Sequence, residues 1–212
     1  MPDPSPLLRL ALTHPSYASE QGLQETNQRL EFLGDAVLGL FVAELLYERF
    51  PDLPEGELTM RRAAMVCEES LAQLAKEHGL GEQLRLGRGE ELTGGREKPS
   101  LLADAFEAVV GAHYLEHGLQ RTREWVRQVF APFLENPPLP LRDARSRLHE
   151  LAQERGLDVK FLLVGQEGPP HHPTFTMAAL VDGAERGRGA GPSKQEATAH
   201  AAAAAYRFLR EQ

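Results

Sequence analysis

The 212-residue sequence is short of several things. It has a single cysteine, Cys67, which excludes an intrachain disulfide and suits a reducing compartment. It has no apolar run near the ~20 residues that a membrane span needs. Its start, MPDPSPLLRLALTHPSY, has neither the basic opening nor the long apolar stretch of a secretory signal. A cytoplasmic location with no membrane partner is therefore expected. Positive charge is also scarce, with 23 Lys and Arg against 31 Asp and Glu and a net charge of −8. Taken alone, that balance argues against a nucleic-acid partner.

What is present is unevenly distributed. Residues 136–140 read N-P-P-L-P, and three prolines in five positions can neither continue a helix nor pair in a central strand. A linker over 136–141 is expected, dividing domain 1–135 from domain 142–212. Residues 1–135 hold 13 basic and 22 acidic residues, a net of −9. Residues 136–212 hold 10 basic and 9 acidic residues, a net of +1, with four histidines. The acidity belongs to the first domain.

That domain reads as helical. Residues 26–50 carry apolar side chains on nearly every face, which predicts a buried helix. Residues 57–78 are amphipathic and end at Gly79 and Gly81. The glycine-rich stretch 82–99 reads as loop, 100–117 as an apolar helix stopped by Gly118, and about 120–134 as a last helix containing Trp125. Beyond the prolines, a helix is expected from about Asp143 to Arg155. Strands follow at 159–164, 174–180 and 184–191, then a closing helix from Ser193 to Leu209. Ser193 and Glu196 have capping-box spacing. The expected fold is an all-α domain followed by a small α+β domain of αβββα order.

The most informative residues are acids within the apolar helices. Glu31 and Asp35 are four apart, and Asp104 and Glu107 three apart, so each pair shares one helical face. Such spacing alone fits ordinary solvated faces equally well. The apolar hosts shift the balance, because an ionised carboxylate in apolar surroundings costs several kcal/mol unless paired or metal-bound. Four hard oxygen donors suit Mg²⁺, with Mn²⁺ as a substitute.

At these residues the chain resembles the bacterial ribonuclease III enzymes. LEFLGDAVL at 30–38 looks like that family's signature, flanked by N-Q-R at 27–29. LTHPSY at 12–17, EGELTMRRAAMV at 55–66, LRLGRGEELTGG at 84–95 and SLLADAFEAVVGAHYLE at 100–116 are similar to further family blocks in the same order. The resemblance implies a ribonuclease III endonuclease fold and hydrolysis of double-stranded RNA to 5′-phosphate and 3′-hydroxyl ends. It implies that Glu31, Asp35, Asp104 and Glu107 are the metal-binding acids, with Asp35 and Glu107 the catalytic residues and the most damaging single losses. It also implies that Phe32 inserts into a partner subunit of a homodimer. Ribosomal and messenger RNA processing follow from the family, and no small-molecule cofactor is implied. Gln28 departs from the family, which often has Glu there, so no role is carried over to it.

Residues 142–212 resemble the double-stranded RNA-binding domain. The resemblance makes Arg145, Ser146, His149 and Glu150 minor-groove contacts, aligns His171 in G-P-P-H-H-P-T-F at 168–175, and places Lys194 of G-A-G-P-S-K at a phosphate. Duplex RNA hides its base edges, so shape, 2′-hydroxyls and phosphates are what such a module reads. The second lysine usual in the family is Gln195 here, which removes one phosphate contact.

Other patterns weigh less. His113 to His117 fits H-x-x-E-H, a zinc-peptidase pattern, yet it lies at a helix end where His is favourable against the dipole. Cys67 reads as a small core residue, His171 and His172 as surface or RNA contact, and His14 with Ser16 as support for the fold. Two other functions remain open: an RNA-binding protein whose first domain is only a dimerisation scaffold, and a metal phosphohydrolase for small molecules that has no need of residues 142–212.

Overall fold

The computed structural model describes residues 5–135, 141–168 and 173–210. The chain forms two compact units, Met1–Pro138 and Leu139–Gln212. The expected linker at 136–141 lies outside the described residues, apart from Leu141.

The first unit is helical: α1 (Pro6–Ala11), α2 (Pro15–Gln21), α3 (Gln28–Arg49), α4 (Glu55–Met65), α5 (Glu68–Glu77), α6 (Leu80–Gln83), α7 (Arg88–Leu92), a 3₁₀ turn (Gly95–Glu97) and α8 (Pro99–Glu135). Its core is built on α3 and α8. In α3 the buried residues Leu30, Gly34, Val37, Leu38, Phe41, Val42, Leu45 and Leu46 recur at helical spacing. From Val37 onward they join Leu102, Ala105, Phe106 and Val110 of α8 and Leu71 and Leu74 of α5 in the main core, while Leu30 packs with Ala108 and Ala112 of α8. Proline at the first position of α8 suits a helix start. Gly118 (φ 75°, ψ 177°) breaks α8 into two helical segments, in a conformation open essentially to glycine alone.

Three expectations are corrected here. Residues 57–78 are two helices, because the Ser70 hydroxyl and the Cys67 thiol both donate to the Ala64 carbonyl, at 2.7 and 3.2 Å, and replace the helical bonds there. Cys67 is thus a half-buried residue at a helix junction. The stretch 82–99 is structured: Arg96 donates to the carbonyls of Gly81, Glu82 and Leu84 at 2.8, 2.9 and 3.0 Å, and Lys98 pairs with Glu90 at 2.8 Å. Finally, α3 is not buried on every side. Phe32 is 81% exposed and Leu40 and Tyr47 are exposed too, in one stripe along the helix.

The second unit has the order α9 (Leu141–Glu154), β1 (Val159–Glu167), β2 (Thr174–Val181), β3 (Ala184–Gly191), α10 (Lys194–Arg210). The strands form an antiparallel sheet in sequential order, with Val159 opposite Val181 and Phe175 opposite Gly191. Gly187 and Gly189 of β3 bring the sheet close to α10: a Cβ on either would lie 2.3 Å from the backbone of Ala201. The core is accordingly rich in alanine, with Ala197, Ala201, Ala202 and Ala205 fully buried. Ser193 caps α10, its Oγ accepting from the Glu196 N–H at 3.1 Å. The expected all-α domain and αβββα order are both present.

Candidate active site and nucleic-acid interface

The acids are brought together where α3 crosses α8, and two glycines permit the crossing. A Cβ on Gly34 would lie 1.8 Å from the carbonyl oxygen of Glu107, and one on Gly111 would lie 2.3 Å from that of Leu30. Each interior glycine disfavours its helix by ~0.5–1 kcal/mol relative to alanine. The return is backbone contact that sets Glu31 of α3 beside Asp104 and Glu107 of α8. One carboxylate oxygen of each lies within 4.8 Å of the other two. Among the described residues, this is the one such trio of potential metal ligands. Asp35 is exposed and stands outside it. Its charge still acts on Glu31 and Glu107.

Electrostatics marks the same place. Burial, then the charges of Asp35, Glu31 and Asp104, push the Glu107 carboxyl up to about 7. Glu31 is raised by burial and by Asp104 and Asp35. Asp104 is raised by burial, opposed by His14. Half-buried acids that repel one another are stable together only when protonated or when a cation neutralises them. The donor set fits a hard divalent ion, being all oxygen, clustered and in excess of negative charge.

His14 was not expected at this site. It caps α2, accepting from the Ser16 N–H at 3.2 Å, and its Nδ1 lies 2.8 Å from Ser16 Oγ. Burial lowers its proton affinity, while Glu90 and Asp104 act in the opposite direction. Nothing local in LTHPSY announces a neighbour some 90 residues away. The glycines were more legible: Gly34 and Gly111 interrupt helices that are otherwise good helix formers, which signals close packing.

In the second unit, Arg145, Ser146, His149 and Glu150 are all exposed on α9. The ring of Phe161 on β1 holds two of them, with the Arg145 guanidinium 5.6 Å and the His149 ring 6.1 Å from its centre. Lys194 opens α10, 5.9 Å from the Phe175 ring. Arg188 is engaged by Glu185 through two hydrogen bonds, at 2.8 and 3.0 Å. His171 lies outside the described residues.

A helical unit with a carboxylate cluster, followed by an αβββα unit with exposed cations, defines a two-part protein of nuclease and RNA-binding type. The comparisons agree. Residues 4–133 match the Ribonuclease-III-like family and residues 144–209 the double-stranded RNA binding motif. "Ribonuclease 3" of Nocardia farcinica is 50% identical over 208 residues, spanning 96% of this chain and 87% of that protein. "Ribonuclease 3" of Streptomyces coelicolor is 51% identical over 209 residues, spanning 97% and 75%. A solved nuclease domain of Ribonuclease III from Campylobacter jejuni superposes with a TM-score of 0.55 at 44% identity, covering 58% of this chain and 83% of that one. The chain belongs to the ribonuclease III family.

Proposed function

We propose that this protein is a divalent-metal-dependent endoribonuclease that hydrolyses double-stranded RNA as a homodimer. Residues 1–135 form its catalytic and dimerisation domain and 142–212 its RNA-binding domain. The observation that carries the reading is the convergence of Glu31, Asp104 and Glu107 at a glycine-permitted helix crossing.

Glu31, Asp104 and Glu107 would hold the ion, Mg²⁺ or Mn²⁺, with Asp35 adding charge beside them. When bound, such an ion supplies charge stabilisation for a phosphate and an activated water. The carboxylates fix its position, and their burial keeps competing solvent from that side. In the absence of a cation, burial and the neighbouring acids push the Glu107 carboxyl up to about 7 and so favour its protonated form. The products would carry 5′-phosphate and 3′-hydroxyl ends. Phe32, 81% exposed between Glu31 and Asp35, with Leu40 and Tyr47 along the same helix, forms an apolar stripe suited to a second copy of the chain. The Campylobacter nuclease domain has a structurally flexible region involved in dimer formation. A symmetric dimer would present one acid cluster to each strand of a duplex.

Arg145, Ser146, His149, Glu150, His171 and Lys194 would contact the duplex. None of the described helices is long and apolar enough to cross a membrane, and we assign the protein to the cytoplasm, acting on ribosomal and other structured RNA. The test is incubation with long duplex RNA, with and without Mg²⁺. Cleavage only with Mg²⁺ supports the reading, and intact RNA in both supports a dimerisation scaffold.

A further inference from the structure

A second group of metal-ligating side chains lies on α8, at the turn preceding Gly118. His113 and His117 are four residues apart, and their ring centres are 4.5 Å apart with the planes inclined by 64°. Two imidazoles bound to one ion at ~2.1 Å, with bond angles of about 90–110°, hold their centres roughly 4.6–5.3 Å apart. The pair thus lies close to chelate spacing before any ion arrives.

The hydrogen bonds around His113 fix which nitrogen is available. Thr122 is fully buried, and its hydroxyl donates its single proton to the Gly118 carbonyl at 2.9 Å. The same Oγ1 lies 2.9 Å from His113 Nδ1. With its proton committed, the hydroxyl can only accept there, so Nδ1 carries the imidazole proton and Nε2 presents its lone pair. Ligand histidines are characteristically held this way, by an outer hydrogen bond from the other ring nitrogen. Stacking on Trp125, with centres 4.8 Å apart and planes 18° apart, fixes the ring further. His117 is exposed and open to solvent, with Glu116 Oε2 3.8 Å from its Nε2.

We propose that His113 and His117 form a second metal site, selective for nitrogen-seeking transition ions such as Cu²⁺, Ni²⁺ and Zn²⁺ and completed by water. The two sites are sorted by chemistry: carboxylate oxygens favour Mg²⁺ and Mn²⁺, and imidazoles favour the later ions, with Cu²⁺ the tightest. The site is a binding site, not a peptidase centre.

Trp125 is the only tryptophan in the chain and stacks on a proposed ligand, so its fluorescence reports occupancy. Cu²⁺ should quench it saturably in the full-length protein in excess Mg²⁺, and equally in Glu107→Gln. In His117→Gln, an exposed change, the half-saturating Cu²⁺ concentration should rise about tenfold or more, equivalent to ~1.4 kcal/mol, with the metal-free melting temperature unchanged. Absence of saturable quenching, identical titrations for wild type and His117→Gln, or loss of quenching in Glu107→Gln would each overturn the proposal.

Discussion

The two units use glycine for the same purpose and obtain opposite kinds of surface from it. In the first, Gly34 and Gly111 let α3 and α8 touch through their backbones, and what the contact gathers is charge that repels itself. In the second, Gly187 and Gly189 let β3 approach an alanine-rich helix, and what the contact gathers is a small apolar core. The residues proposed to hold the duplex lie outside that core, among them exposed cations on α9 and α10. In the proposed reaction, cutting uses acids held in unfavourable company until a cation arrives. Holding a duplex requires charge left in solvent, where phosphates can reach it. The net charge of −8 conceals this division.

The sharpest way to separate the units is Glu107→Gln. It should abolish cleavage while leaving duplex binding within about twofold, since phosphate contacts set affinity; gel-shift and cleavage assays run in parallel report both. Gly189→Ala attacks the other side. Its Cβ would lie 2.3 Å from Ala201 N, and overpacking of this kind costs about 1–3 kcal/mol or more. Calorimetry should show a lower-melting transition for residues 139–212 and an unchanged one for the nuclease unit.

A smaller effect distinguishes the units by pH. Folding raises the Glu107 carboxyl from its usual 4.5 to about 7, so the folded state holds an extra proton between those values. Stability of the metal-free protein should therefore fall as pH rises from about 4.5 to about 7. Melting temperatures in EDTA should show the decline, Glu107→Gln should flatten it, and Mg²⁺ should offset it at the upper end. The smallest effect is Lys194→Ala, expected to weaken binding to all duplexes alike and to reduce the salt-dependence slope by about 1. A binding series across salt concentrations measures it.

The sequence revealed the two regions differently. The αβββα order was legible because its strands and caps are local signals, down to Ser193 ahead of α10. Of the four acids singled out in apolar helices, Glu31, Asp104 and Glu107 come together and Asp35 stands outside the trio. The split at Cys67 was not legible, since it depends on the Ser70 and Cys67 side chains competing for one carbonyl. Nor was the exposure of Leu40 and Tyr47, because hydrophobicity alone does not say which apolar residues face solvent; Phe32 was marked only by the family resemblance. The tautomer of His113 depends on a buried threonine on the far side of a helix break, which spacing alone could not show.

In the proposed metal site, the crossing, and not the mere presence of four acids, creates the affinity. Calorimetric titration of Mn²⁺ into wild type, Gly111→Ala and Gly56→Ala tests it directly. Gly56 lies in a helix with open space around its missing Cβ, so that substitution controls for glycine replacement as such. Gly111→Ala keeps every carboxylate but forces the helices apart at Leu30. The account predicts wild-type affinity for Gly56→Ala and at least about tenfold weaker Mn²⁺ binding for Gly111→Ala, a difference of ~1.4 kcal/mol or more. Equal affinity in all three proteins would contradict it.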